Sequence, residues 1–113
     1  MVYFILCGLG KRSQTREFRR KSVVLEKIRR HIVFYGAVQG VGFRYRAYYA
    51  ARSFGVSGWV KNCFDGSVEM EAEGTEKAID DMILAIEKGT FVRIENMSVK
   101  TIPLHGDSGF EIR

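Results

Sequence analysis

Proline is almost missing from this chain: Pro103 is its only example in 113 residues. No Pro-rich stretch marks a linker between units, and the length and 46% hydrophobic content suit one compact domain with a single core. Cysteine is equally sparse. Cys7 and Cys63 make neither a disulfide framework nor a metal set, so both are read as free thiols in a reducing compartment. The two histidines, His31 and His105, lie far apart and form no ligand cluster, so no metal and no cofactor are expected. No apolar run is long enough to cross a membrane. The apolar stretch from Met1 to Leu9 is far shorter than a span, and it lacks the basic leader and small-residue cleavage site of a secretory signal.

Charge is present but unevenly placed. Nine basic and two acidic residues precede His31, and nine basic and eleven acidic residues follow from there on, so the segments carry +7 and −2. The basic balance belongs to the first thirty residues. A basic domain would have pointed to nucleic acid; a slightly acidic one with a single cationic loop points to a small anion. Residues 1–29 are read as a basic N-terminal extension outside the fold, and 30–113 as the domain. The extension has three readings: a basic tail for an acidic partner, an Arg-rich transit-like leader, or translated sequence upstream of the true start. The third is preferred, with Val23, Val24 or Leu25 as candidate starts.

One stretch organises the domain: Gly36-Ala37-Val38-Gln39-Gly40-Val41-Gly42-Phe43-Arg44. The apolar run from His31 leads in, and helical spacing from Phe43 to Phe54 leads out. The order is therefore strand, glycine-rich loop, helix. The first N–H groups of a helix lack intrahelical partners and sit at the positive end of its dipole. Glycine lets the backbone turn tightly and approach a ligand, and Arg44 adds a cationic fork in the first turn. That combination can cradle a phosphate-sized anion. Glycine content alone leaves a plain turn open as well. The string is neither a Walker A loop nor a dinucleotide Gly-x-Gly-x-x-Gly.

The string Gly-x-Val-Gln-Gly-Val-x-Phe-Arg resembles the signature loop of the acylphosphatases. A second segment, Gly58-Trp59-Val60-Lys61-Asn62-Cys63-Phe64-Asp65-Gly66, is similar to that family's Gly-x-Val-x-Asn-x-x-Asp-Gly, in the same order and separation. The ending Phe110-Glu111-Ile112-Arg113 is also similar. Phe64, where many relatives carry proline, and Gly89-Thr90, where many carry Gly-Pro, depart from the pattern away from the presumed chemistry.

Phe43, Ala47, Ala50, Ala51 and Phe54 share one helix face, and Gly55 is placed to end that helix. Tyr45, Tyr48 and Tyr49 are read as the rim of the buried face rather than as a base-stacking set. Ser57–Asn62 reads as a strand, Asp65-Gly66 as a hairpin turn, and 67–73 as an alternating strand. Its Glu69, Glu71 and Glu73 are read as a solvated sheet face. Thr75 is placed to cap a second helix with Ile79, Met82, Ile83 and Ile86 inward, ended by Lys88 and Gly89. Residues 92–102 form a strand with a break near Asn96, and 110–112 can close an edge. The order β-α-β-β-α-β predicts an α+β fold, a ferredoxin-like split βαβ sandwich with an antiparallel sheet and two helices on one face.

The resemblance implies hydrolysis of the carboxyl–phosphate bond of acyl phosphates to carboxylate and inorganic phosphate, without a metal. Carried over, Arg44 and Asn62 are the catalytic residues: Arg44 holds the phosphate, and Asn62 orients the attacking water. Val38, Gln39, Gly40, Val41, Gly42 and Phe43 form the phosphate loop. The expected partner is a small acyl phosphate, with no nucleic acid and no membrane, and the protein is expected to be a cytoplasmic monomer. The alternative is a non-catalytic phosphate- or carbamoyl-phosphate-binding module of the same fold, as in hydrogenase maturation proteins. The absence of zinc-finger cysteines or a further domain after Arg113 weighs against it. An RNA- or DNA-binding ferredoxin-like domain would want basic and aromatic residues where Glu69, Glu71 and Glu73 stand.

Overall fold

The computed structural model describes residues 26–113. The readings made for residues 1–25, as tail, leader or upstream sequence, and for Cys7, lie outside the described residues. Seven elements follow: β1 (Lys27–Ala37), α1 (Phe43–Phe54), β2 (Ser57–Asn62), β3 (Val68–Thr75), α2 (Glu76–Glu87), β4 (Arg93–Ile102) and β5 (Phe110–Ile112). They form one five-stranded sheet in the order β4-β1-β3-β2-β5. The fold is the expected α+β ferredoxin-like sandwich, with one difference in the sheet. β1, β2, β3 and β4 pair antiparallel, whereas β5 pairs parallel to β2, so the sheet is mixed. A three-residue strand reached by the long return from β4 has no hairpin to force the antiparallel direction.

The helices cover one sheet face. From α1 come Phe43, Ala47, Ala50 and Ala51, from α2 Ile79, Met82 and Ile86, all buried against Ile32 and Phe34 of β1, Val60 of β2, and Val68, Met70 and Ala72 of β3. Helical spacing put Phe54 on that face too. It lies in the last turn and is 41% exposed. Gly55 closes α1 in the left-handed conformation, and the Thr75 hydroxyl accepts from the Ala78 amide at 3.1 Å to start α2. β4 runs unbroken, and the irregularity expected near Asn96 is a bulge: Tyr35 faces Asn96 while Gly36 already faces Ile94.

Two readings need correction. Residues 27–29 do not lie outside the fold: β1 includes them, and Arg29 among them is 2% exposed. Nor is the glutamate row merely solvated. Glu73 is buried, and Arg29 pairs with Glu71 at 2.7 Å, Glu73 at 3.0 Å and Asp107 at 3.0 Å. Asp107 arrives on the loop between β4 and β5, which turns back over this face. The amides of His105 and Gly106 from the same loop donate to Glu73. Glu69 takes His31 at 2.7 Å and Lys61 at 3.7 Å. No helix among the described residues is long and apolar enough to cross a membrane.

Candidate active site

β3 lies between β1 and β2 and is antiparallel to both, so β1 and β2 run parallel to each other. β5 runs parallel to β2. The carboxyl ends of β1, β2 and β5 therefore meet at one edge of the sandwich. The loop 38–42 leaves β1 there, Asn62 ends β2 there, and Arg113 follows β5 there. α1 also starts at this edge, because the loop delivers it.

Val38 and Phe43 anchor the loop at its two ends. Both are buried in the core, and the Phe43 ring packs on Phe34 with centroids 4.9 Å apart. Val41 is partly buried against the same core. Gly40 and Gly42 hold φ values of +72° and +79°, a backbone region that side-chain-bearing residues rarely adopt. A Cβ at either position would meet no protein atom within 4 Å, so these glycines face open space. Gly42 is the N-cap of α1 without any side-chain cap, and the first turn carries no acidic residue. The first-turn N–H groups thus have neither an intrahelical acceptor nor a capping side chain, and they sit at the positive end of the helix.

Arg44 stands in that first turn. Its Nη1 donates to the main-chain oxygen of Arg113 at 3.1 Å. One of its five donors is thereby engaged, and four remain for an anion. Arg113 was not among the residues singled out from the sequence. The family-like ending that contains it was the only signal, and a main-chain oxygen carries no mark in a sequence.

Asn62 is exposed at the last position of β2 and pairs with Val68. Alternation puts it on the face that Val60 buries, which is the face α1 packs on. Its amide side chain has no hydrogen-bond partner among the described residues. The turn beyond it is closed by Gly66 N–H to Cys63 O at 3.3 Å and Cys63 N–H to Ser67 O at 2.9 Å. Asp65 accepts from the Ser67 hydroxyl at 2.5 Å and the Ser67 amide at 3.0 Å, and these bonds, the hydroxyl first, hold its carboxyl below the usual range. Gln39 does not point into the loop's open side. Its Nε2 donates to Cys63 O at 2.7 Å and to Ser67 O at 2.8 Å.

Among the described residues no group of three or more His, Cys, Asp and Glu is arranged to hold a metal. The edge instead offers backbone amides, a guanidinium and a neutral amide. This set suits an anion with oxygen atoms to spare and a water beside it.

The family described as Acylphosphatase matches residues 30–112. An acylphosphatase of Bifidobacterium longum (strain NCC 2705) is 44% identical over 78 residues, 68% of this chain and 80% of the relative. The crystal structure of acylphosphatase from Bacillus subtilis is similar with a TM-score of 0.71 at 39% identity, over 76% of this chain and 98% of that one. The crystal structure of T. kodakarensis HypF is similar with a TM-score of 0.66 at 35% identity, over 76% of this chain but 12% of that much longer one.

Proposed function

The chain belongs to the acylphosphatase family, and from that premise we propose that it hydrolyses acyl phosphates with Arg44 and the loop 38–43 holding the phosphoryl group and Asn62 holding the water. The observation that carries this reading is the meeting of Arg44, held by the Arg113 main-chain oxygen, with the uncapped first turn of α1 at the edge where Asn62 ends β2. Phosphoryl oxygens accept from the loop amides and from the Arg44 fork. Asn62 is uncharged at neutral pH, and its carbonyl oxygen accepts from a water lined up with phosphorus. The water oxygen bonds to phosphorus as the bond from phosphorus to the acyl oxygen breaks. The carboxylate leaves with that electron pair, and the water's proton passes to a phosphoryl oxygen. The products are a carboxylate and inorganic phosphate.

A carboxylate is a good leaving group. Phosphoryl transfer through a loose transition state needs positioning and charge stabilisation more than a strong base. The amides and Arg44 supply positive charge where the equatorial oxygens gather it. That supply is the reason for reading the reaction as metal-independent.

Phosphate release from a simple acyl phosphate tests the proposal, with and without a chelator. Turnover at an unchanged rate in chelator is the expected result, and no turnover overturns it. The similarity to HypF favours one second reading, a phosphate- or carbamoyl-phosphate-binding module without turnover. In that case inorganic phosphate binds but no acyl phosphate is cleaved.

A further inference from the structure

We infer that Gln39 is a positioning residue for the attacking water, acting through the turn that follows Asn62 rather than on the phosphate. This rests on the reading of Asn62 proposed above. Within the signature loop Gln39 would be assigned to the phosphate by its place in the string alone. Its side chain is committed elsewhere. Both of its partners, Cys63 O at 2.7 Å and Ser67 O at 2.8 Å, are carbonyl oxygens, so only the NH₂ end of the amide fits between them. The two donors of one NH₂ group are thus both spent on the turn.

The topology explains why such a brace is needed. The loop leaves β1 and Asn62 ends β2, and β3 separates the two strands. Two strand spacings amount to about 9.6 Å, a gap that neighbouring strands do not bridge directly. Among the described residues, no backbone hydrogen bond joins residues 38–42 to residues 62–67. The Gln39 amide spans that gap. It grips the turn at Cys63, the residue after Asn62, and at Ser67, which closes the turn through the Cys63 amide at 2.9 Å. The phosphate cradle and the water holder are thereby fixed relative to each other. In-line attack depends on that relation, and a misplacement of about 1 Å can cost about 10²-fold in rate.

The role predicts a coupling that a general packing role would not show. Gln39→Met keeps the length and loses both donors. It should lower kcat by about 10-fold or more and change the Kd for inorganic phosphate by less than about twofold. In single-turnover measurements with enzyme in excess, Gln39→Met should cost nothing further in an Asn62→Ala background. A full-sized loss in that background overturns the inference, as does a phosphate affinity that falls in step with kcat.

Gln39→Glu supplies a second measurement that does not depend on Gln39→Met folding. Its carboxylate has no donor for the two carbonyls, and facing them raises its pKa above the ordinary value of about 4.3. Protonation returns one donor. The ratio of variant to parental kcat should therefore climb as pH is lowered from about 8 to about 5. The turn's own titratable groups, Cys63, Asp65 and Glu69, are common to both proteins and cancel in the ratio. A flat ratio overturns the inference. If Asn62→Ala keeps parental kcat, the reading of Asn62 falls and this inference with it. If Asn62→Ala is inactive while Gln39→Met keeps parental kcat, the reading of Asn62 stands and the inference alone falls.

Discussion

Arg29 lies buried beside Glu73 on the neighbouring strand, its Nη1 3.0 Å from Glu73 Oε1 and only 2% of its surface exposed. Burial opposes the Arg29 charge, but hydrogen bonds to Glu71, Glu73 and Asp107 outweigh it, and its pKa is raised. Removing one member of such a set strands the others. Arg29→Ala should destabilise the domain by about 3 kcal/mol, read from a denaturant midpoint. A change under about 0.5 kcal/mol would show that the set is neutral to stability.

The same residue tests where the domain begins. A chain started at about Leu25 keeps Arg29 and all of β1, and should match the full-length protein in activity and melting temperature. A chain started at His31 loses Arg29 and the first four pairings of β1 with β3, and should melt several degrees lower. Equal melting of the two short chains would mean that Arg29 contributes nothing. A drop already at Leu25 would mean that earlier residues pack on the domain.

Acid should loosen this face in a predictable direction. The amide of His105 is the leading cause holding Glu73 below its ordinary value of 4.5, and the His105 ring is the leading cause for Asp107, below 3.8. Their folded-state pKa values lie beneath their unfolded ones, so the unfolded chain binds more protons across the interval between them. Stability then rises with pH there. The contribution is complete above about pH 4.5, the ordinary Glu73 value, and is lost as pH falls through the depressed values. Urea midpoints between pH 7 and pH 3 should drop below about 4.5, and the drop should be shallower in Arg29→Ala. A midpoint that is constant over this range would remove the pairing from any account of stability.

These pairs also mark the limit of what the sequence makes legible. Phe43, Ala47, Ala50 and Ala51 announce α1 because helical spacing is local, and Thr75 announces α2 because a cap acts within three residues. Alternation in β3 correctly separates Val68, Met70 and Ala72 from Glu69, Glu71 and Glu73, but it is silent about what covers the second face. Arg29 sits 42 and 44 residues away from Glu71 and Glu73, inside a basic run that resembles a tail, so no local pattern joins them. At the site the string marks Gln39 and Arg44, yet their partners are the main-chain oxygens of Cys63, Ser67 and Arg113. Every residue has a main-chain oxygen, so composition cannot single out which one will accept. The parallel direction of β5 was hidden for a similar reason: Phe110, Glu111 and Ile112 carry no sign of strand direction.

Arg44 is the next test. Arg44→Ala should weaken both inorganic phosphate binding and turnover, with kcat/KM down by about 10² to 10³. Arg44→Lys should restore little, since an ammonium is a point charge without the planar fork. Isothermal titration with phosphate and a phosphate-release assay measure the two effects separately. Parental hydrolysis by Arg44→Ala would remove the residue from the site.

Asn62 separates binding from chemistry. If its carbonyl only holds the water, Asn62→Ala should abolish most turnover while phosphate affinity stays near parental. The loss should fall on kcat rather than KM, because a positioned water is gained in the transition state and not in the ground-state complex. A loss of about 10² or more is expected for a well-placed orienting group. Asn62→Asp sharpens the test. It keeps the shape and an acceptor oxygen but sets a negative charge beside the phosphate, and repulsion between like charges should then weaken phosphate binding as well. Binding spared in Asn62→Ala and impaired in Asn62→Asp is the pattern a water holder produces. If kcat stays parental in Asn62→Ala, Asn62 serves only to lead β2 into its turn, and another group must hold the water.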